Sequence, residues 1–179
     1  MKILAICGSP RKGNTETILR KILEGAAHKG AVIEIILLRD KNIRHCLGDM
    51  ECDKSGKCTT RDDMKEILDQ MLGADVLVFG SPTYFDTVTG MFKDFMDRTH
   101  PLYPGRKLKG KPVVIVAVGG EELGKNSIED AAKCIKKFCG IHEMKVLKTI
   151  LGSAEKIGEI AKDIQKMKEC FDAGESLVK

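Results

Sequence analysis

Gly8-Ser9-Pro10-Arg11-Lys12-Gly13-Asn14-Thr15 follows the short apolar run from Ile3 to Cys7. Placed between a buried strand and a helix, residues of these types can hold a phosphate. The first N–H groups of a helix have no partner of their own, and the helix dipole favours an anion there. Ser9, Asn14 and Thr15 add hydroxyl and amide groups, and Arg11 adds charge, with Lys12 beside it. Gly8 and Gly13 have the spacing of a nucleoside-triphosphate loop, but Asn14 stands where that loop needs its lysine. Without the lysine little remains to neutralise a second and third phosphate. The expected chemistry is therefore retention of one phosphate group.

Two rival anion sites fail on single residues. A nucleoside triphosphatase also needs an acid near a strand end for Mg²⁺, whereas the third strand ends in Phe79-Gly80-Ser81. A phosphotyrosine-type phosphatase needs an arginine six positions after its cysteine. Cys7 is suitably placed, but position 13 is glycine. A plain helix cap would also use Asn or Thr, yet it does not need two glycines and an arginine as well.

Two further loops join the first. Ser81-Pro82-Thr83-Tyr84-Phe85 carries two adjacent aromatics that can wall a flat heterocycle or simply cover the end of the sheet. Gly119-Gly120-Glu121-Glu122 begins with paired glycines, which let a backbone approach a ligand closely or make a plain turn. A polar stretch at 39–60 holds Cys46, Cys52 and Cys58 and is too long for an ordinary connection. Cys134, Cys139 and Cys170 are isolated and read as small apolar residues. Asp94, Asp97, Lys93 and Arg98 read as salt-bridged surface groups.

Alternating elements must position these loops. Strands are expected at 2–7, 32–38, 75–79, 112–118 and 145–150. Helices are expected at 15–29, 62–72, 90–98, 127–138 and 154–171. Five strands alternating with helices predict an α/β fold, a doubly wound parallel sheet with helices on both faces. Its ligands bind beyond the carboxyl ends of the strands, where the three glycine-containing loops converge. The 179 residues fit one domain with a cysteine-containing insertion at about 40–60. Apolar content of 42% and charged content of 31% are those of a globular protein. A net charge of +4 and 4% aromatics give no footing for nucleic acid. No run approaches transmembrane length, and Met1-Lys2 leads straight into a strand pattern. A cytoplasmic setting is expected, with the seven cysteines as thiols or metal ligands.

Taken together, Gly8 to Thr15, Gly80 to Phe85 and Phe92-Lys93-Asp94-Phe95-Met96-Asp97-Arg98 resemble the NADPH-dependent FMN reductase family, most closely its iron–sulfur-flavoprotein-like branch. The resemblance runs from residue 1 to about 150. It implies a flavodoxin-like five-stranded sheet of order 2-1-3-4-5 with FMN at the strand ends. Ser9, Arg11, Lys12, Gly13, Asn14 and Thr15 would hold the FMN phosphate. Ser81, Pro82, Thr83, Tyr84 and Phe85 would line the flavin ring, with Gly119 and Gly120 across from them. Glu121-Glu122 departs from the more aromatic or glycine-rich third loop of many relatives. Homodimers or homotetramers are implied.

In the iron–sulfur branch the insertion carries a C-x-x-C-x-x-C run and a fourth cysteine. Cys46, Cys52 and Cys58 match that pattern, and Asp49 replaces the second cysteine. Three readings follow: an iron–sulfur cluster held by three thiolates with or without Asp49, a zinc ion on Cys46, Asp49, Cys52 and Cys58, or a loop that has lost its metal. The functional expectation is an FMN-binding oxidoreductase. NAD(P)H is its transient donor, and a quinone, flavin or similar small molecule its acceptor. An electron carrier exchanging electrons with ferredoxin is the alternative. A non-enzymatic flavin-binding module is a third. No catalytic side chain is expected, because the flavin carries the chemistry.

Overall fold

The computed structural model describes residues 1–120 and 126–178. Residues 3–7 are buried completely within β1 (Lys2–Cys7), as a continuous apolar strand covered on both faces requires. The remaining strands are β2 (Val32–Leu37), β3 (Val76–Pro82), β4 (Pro112–Gly119) and β5 (Lys145–Ser153). All pairs are parallel, in the order β2-β1-β3-β4-β5. Cys7 lies opposite Leu37 and Gly80, so the loops after β1 and β3 leave the sheet side by side.

The helices are α1 (Asn14–His28), α2 (Glu51–Ser55), α3 (Met64–Gly73), α4 (Gly90–Asp97), α5 (Ser127–Ile141) and α6 (Ile164–Ser176). Two cores result. One sets Ile18, Leu19 and Ile22 of α1 with Cys170 and Ala173 of α6 against Ile3, Val78 and Val116. Gly25 and Gly174 bring these two helices together: a Cβ on Gly25 would strike the Phe171 carbonyl, and one on Gly174 that of Ile22. On the other face α3, α4 and α5 cover Leu4, Leu77 and Ile115. Phe79, Phe92, Phe95 and Phe138 pack there edge-on or tilted, with centroids 5.4–6.3 Å apart.

Three expected boundaries are corrected. The last helix does not run over 154–171. β5 continues to Ser153, a turn and a 3₁₀ segment (Glu159–Lys162) follow, and α6 begins only at Ile164. Gly158 in the left-handed region (φ 80°) breaks the helical path, and Asp163 caps the new start by accepting from Lys166 N. The 39–60 stretch contains α2 and a 3₁₀ turn at Leu38–Asp40. α3 starts at Met64, not Asp62, because the Asp62 carboxylate turns inward to Arg98. No described helix is long and apolar enough to cross a membrane.

Candidate functional site

The residues between β1 and α1 fold as a loop closed on itself. The Ser9 hydroxyl donates to the Arg11 carbonyl (2.9 Å) and accepts from the Arg11 N–H (3.3 Å). Gly13 is the extended residue before α1 and supplies no side-chain cap; the Gly13 carbonyl takes the Thr17 N–H at 3.0 Å. The N–H groups of Asn14, Thr15 and Glu16 therefore precede the first intrahelical bond, which leaves them for an anion. A Cβ on Gly13 would meet nothing within 4 Å, so open space faces these donors. Gly8 is different: a side chain there would run into Phe92, at 2.6–2.9 Å, so its role is close packing over α4.

Asn14 does not present its side chain as expected. Its Oδ1 accepts from Gly158 N (2.9 Å) and Ile160 N (3.4 Å), while Nδ2 donates to the Lys156 carbonyl (2.8 Å). The amide is spent on joining α1 to the turn after β5, leaving its backbone N–H for a ligand. Glu16, absent from the sequence expectations, is buried in the first turn between Arg20 (2.7 Å) and Arg39 (2.8 Å). Burial raises its pKa, and the two arginines more than offset this, holding it below the usual range. Arg39 also donates to the Arg11 carbonyl (3.2 Å), so this ion group braces the loop from behind.

After β3, Tyr84 and Thr87 exchange both backbone hydrogen bonds (2.8 and 3.1 Å) around Phe85 and Asp86. Both central residues have positive φ, 48° and 60°, the geometry that favours Asn-Gly. This strained turn holds Phe85 almost wholly in solvent, 97% exposed, beside half-exposed Tyr84. Thr83 is buried and bonded to the Ser127 hydroxyl and carbonyl (2.7 and 3.0 Å), which ties the turn to the start of α5. Gly119 is needed at its position because a Cβ would strike Thr83 Cγ2.

One cavity of about 430 Å³ unites the three loops. It is lined by Ser9, Arg11, Gly13, Asn14 and Thr15, by Pro82, Thr83, Tyr84 and Phe85, and by Gly119 and Gly120. Lys12 and Ser81 are not on its wall. Ser81 is fully buried, donating to the Pro82 carbonyl (2.8 Å) and accepting from Thr89 N (3.2 Å). Val118, Ala154, Glu155 and Ile157 complete the lining, and sequence reasoning missed the last three because 154 onward read as helix. Glu121 and Glu122 lie outside the described residues. A larger cavity, about 710 Å³, opens between α4 and α5 and touches none of the three loops except at Asp86. The first collects free helix N–H groups and aromatic rings in one place, so chemistry and not volume singles it out.

Cys7 faces the other way. Burial pushes its thiol up to about 11, against a smaller lowering by the Ser9 backbone, so it is not a poised nucleophile. Cys139 and Cys170 are likewise buried, raised to about 12 and about 11. Asp97 pairs with Lys93 (2.6 Å) and Asp94 with exposed His45 (2.6 Å), as surface groups should.

Arg98 is the exception, only 1% exposed. It forms a bidentate pair with Asp62 (2.6 and 2.9 Å), and both partners hold Arg44, at the start of the cysteine loop. Arg98 donates to its carbonyl (2.6 Å) and Asp62 accepts from its N–H (2.8 Å). Beside them a cavity of about 230 Å³ is walled by Cys46, Asp49, Cys52, Cys58, Arg98 and His100. A zinc ion takes its thiolates at about 2.3 Å, which requires ligand atoms closely clustered. Among the described residues the only such trio is Cys52, Asp53 and His100, with ligand atoms within 4.8 Å of one another. His100 Nε2 is 2.7 Å from the Asp53 carboxylate. The structure thus brings Cys46, Asp49, Cys52 and Cys58 to one cavity without the tight spacing of a single ion. Asp49 accepts from the Thr59 hydroxyl (2.7 Å) and from Glu51 N (3.3 Å).

Residues 1–156 match the family model described as NADPH-dependent FMN reductase. An iron–sulfur flavoprotein of Methanocaldococcus jannaschii is 40% identical over 148 residues, 82% of this chain and 76% of that protein. Another from Archaeoglobus fulgidus is 40% identical over 125 residues, 69% of this chain and 62% of its own length. The chain therefore spans less than two thirds of this second relative. Among solved structures, an FMN-dependent NADH-azoreductase of Bacillus anthracis in complex with FMN superposes with a TM-score of 0.75 at 18% identity, covering 100% of both chains. A flavodoxin from the domain Archaea does so with a TM-score of 0.65 at 18% identity, covering 99% of this chain and 96% of that one. Likeness at this identity is likeness of fold, and the fold is flavodoxin-like.

Proposed function

We propose an electron route for this chain, which belongs to the NADPH-dependent FMN reductase family and is an FMN-dependent oxidoreductase. In this reading NAD(P)H is the donor, and a quinone, a free flavin or a similar small molecule is the acceptor. The observation that carries it is the single cavity joining the N-terminus of α1 to the Tyr84–Phe85 turn. An elongated molecule with a phosphate at one end and a flat ring at the other fits that donor set. Unpartnered N–H groups with Arg11 and the Thr15 hydroxyl meet the anion, and Pro82, Thr83, Tyr84 and Phe85 meet the ring.

Bound FMN supplies the hydride and electron chemistry. The chain binds and orients it. The Ser9–Arg11 contacts fix the loop, Glu16 with Arg20 and Arg39 keeps it rigid, and Gly119 lets the third loop close on Thr83. No dinucleotide fingerprint is present, so NAD(P)H visits the exposed face and leaves. Exposed Phe85 and Tyr84 beside the cavity support a homodimer or homotetramer that covers them.

Titration of the apo-protein with FMN, followed by anaerobic addition of NADPH or NADH, tests this reading. Stoichiometric binding, bleaching of the flavin and reoxidation by a quinone are expected. A chain that binds no FMN, or binds it and stays oxidised with both nucleotides, overturns it.

A second reading is favoured by the cysteine cavity: an iron–sulfur flavoprotein-type carrier exchanging electrons with ferredoxin. Three thiols around one cavity, spaced more widely than one ion requires, suit a cluster better than zinc. Arg98 Nε, buried on its wall without a hydrogen-bond partner, is a donor that an anionic sulfur group would satisfy. The residues therefore fit a cluster, with Cys46, Cys52 and Cys58 as its thiolates and Asp49 as the oxygen donor at the fourth place. Iron and sulfide analysis of anaerobically purified protein tests it, and a metal-free protein that oxidises NADPH leaves the first reading alone.

A further inference from the structure

Arg98 is a charged side chain with every reason to be at the surface and almost no exposure. Buried cations need an anion and a hydrogen-bond partner for each N–H group. Asp62 supplies the anion, and the Arg44 carbonyl takes a further bond. Nε is left over. The same guanidinium forms part of the wall of the cysteine cavity and is in side-chain contact with Cys58. A simple structural bolt between α4 and the loop would be complete with Asp62 and Arg44; it would need neither the unsatisfied donor nor the thiol.

We propose that Arg98 is a positioning residue for the sulfur-ligated group of the cysteine cavity. It orients Cys58 and directs a fixed cationic N–H donor at the ligand sulfur. The proposal rests on the cluster reading above. Hydrogen bonds to the ligand sulfurs and nearby charge are what set the potential of such a group. A cation and donor on this wall stabilise the reduced, more negative state and raise that potential. Asp62 keeps the guanidinium in place and, through Arg44 and Met64, fixes the loop at both ends.

The test uses the full chain purified anaerobically, with iron and sulfide counted per chain and the midpoint potentials of cluster and flavin read in one titration. Arg98→Met combined with Asp62→Asn removes the donor without leaving a buried carboxylate unpaired. Its cluster is expected to shift at least tenfold toward the oxidised form, about 59 mV for one electron, while the flavin potential stays put. Arg98→Lys keeps a cation on the wall and is expected to retain iron and a potential close to wild type. Loss of iron in the double variant with retention in Arg98→Lys supports the proposal equally. Equal cluster potentials in wild type and double variant overturn it, as does an Arg98→Lys protein as iron-poor as the double variant. Wild-type chain without iron or sulfide defeats the cluster reading itself, and that outcome is seen before any substitution is made.

Discussion

The amide of Asn14, at the first turn of α1, holds the backbone N–H of Gly158 at 2.9 Å across 144 residues of chain. Together with its bonds to Lys156 and Ile160 it fastens the N-terminal end of α1 to the turn after β5. Asn14→Ala leaves two N–H groups and one carbonyl without this partner. The expected cost is about 1–3 kcal/mol of stability, read as a lower midpoint in urea unfolding of the apo-protein. FMN affinity should fall as well, because Ala154, Glu155 and Ile157 on the cavity wall lose their anchor.

Arg11→Ala and Thr15→Ala should separate binding from folding. Neither side chain forms a hydrogen bond among the described residues, so apo stability should change by less than about 0.5 kcal/mol for exposed Arg11 and by no more than about 1.5 kcal/mol for buried Thr15, which loses one methyl and a hydroxyl without a partner. FMN retention should weaken about tenfold or more, as charge-assisted bonds of roughly 1.5–3 kcal/mol are lost. Isothermal titration together with thermal unfolding reads both. Loss of stability with unchanged FMN binding would make this a helix cap and nothing more.

Gly119→Ala should be harmful in proportion to a collision already visible: its Cβ would strike Thr83 Cγ2 and lie 2.9 Å from Ile128 Cγ1. Overpacking of this kind costs about 1–3 kcal/mol. Thr83 also lines the cavity proposed for FMN, so FMN should dissociate faster. Gly13→Ala, where the same atom meets open space in the apo-protein, should leave apo stability nearly unchanged and reduce FMN binding. Stopped-flow release of the flavin and a melting curve for each variant are the measurements.

Asp62 gives the pH dependence. Burial raises its pKa, and the hydrogen bond from Arg98 and the N–H groups of Arg44 and Met64 more than offset this, so it titrates below the ordinary value of about 3.9. The unfolded chain then binds the proton first. The stabilisation is fully present above the unfolded value and disappears as pH falls through the folded one. Asp62→Asn should lose about 3–5 kcal/mol near neutral pH, since Arg98 is left buried with half a partner. Its denaturation midpoint should also fall less steeply than wild type below about pH 4. Parallel slopes for the two proteins would show that Asp62 is not the group responsible.

Asp49→Cys completes the four-cysteine pattern of the insertion. Iron per chain should rise if the cavity accepts a cluster, measured by metal analysis after anaerobic purification. Absence of iron from both wild type and Asp49→Cys would mark the loop as purely structural.

The sheet and the three loops that meet at its edge were readable from local runs of residue types: apolar strands, a glycine-framed loop and adjacent aromatics each announce themselves within a few positions. What escaped depends on contacts between distant segments. Asn14 looked like a phosphate ligand because its partners sit after β5. The start of α6 was misplaced for the same reason, with Asn14 and Glu159 taking the N–H groups of the 155–160 turn. Arg98 reads as a surface charge when seen beside Lys93 and Asp97, and only the fold brings Asp62 and Cys58 to it. Ser81 seemed available to a ligand until Thr89 claimed it.

α4 braces the first loop from beneath at one end and lines the thiol cavity at the other. Thr89, at its cap, grips the Gly8 carbonyl under the first loop (2.6 Å), and Arg98, at its far end, reaches the thiol cavity. Nine residues at about 1.5 Å each put these two grips roughly 13 Å apart along the axis. A helix clamped at both ends cannot tilt at one without disturbing the other, so on the cluster reading loss of sulfur and iron should be felt as a looser hold on the vitamin-derived pigment next door.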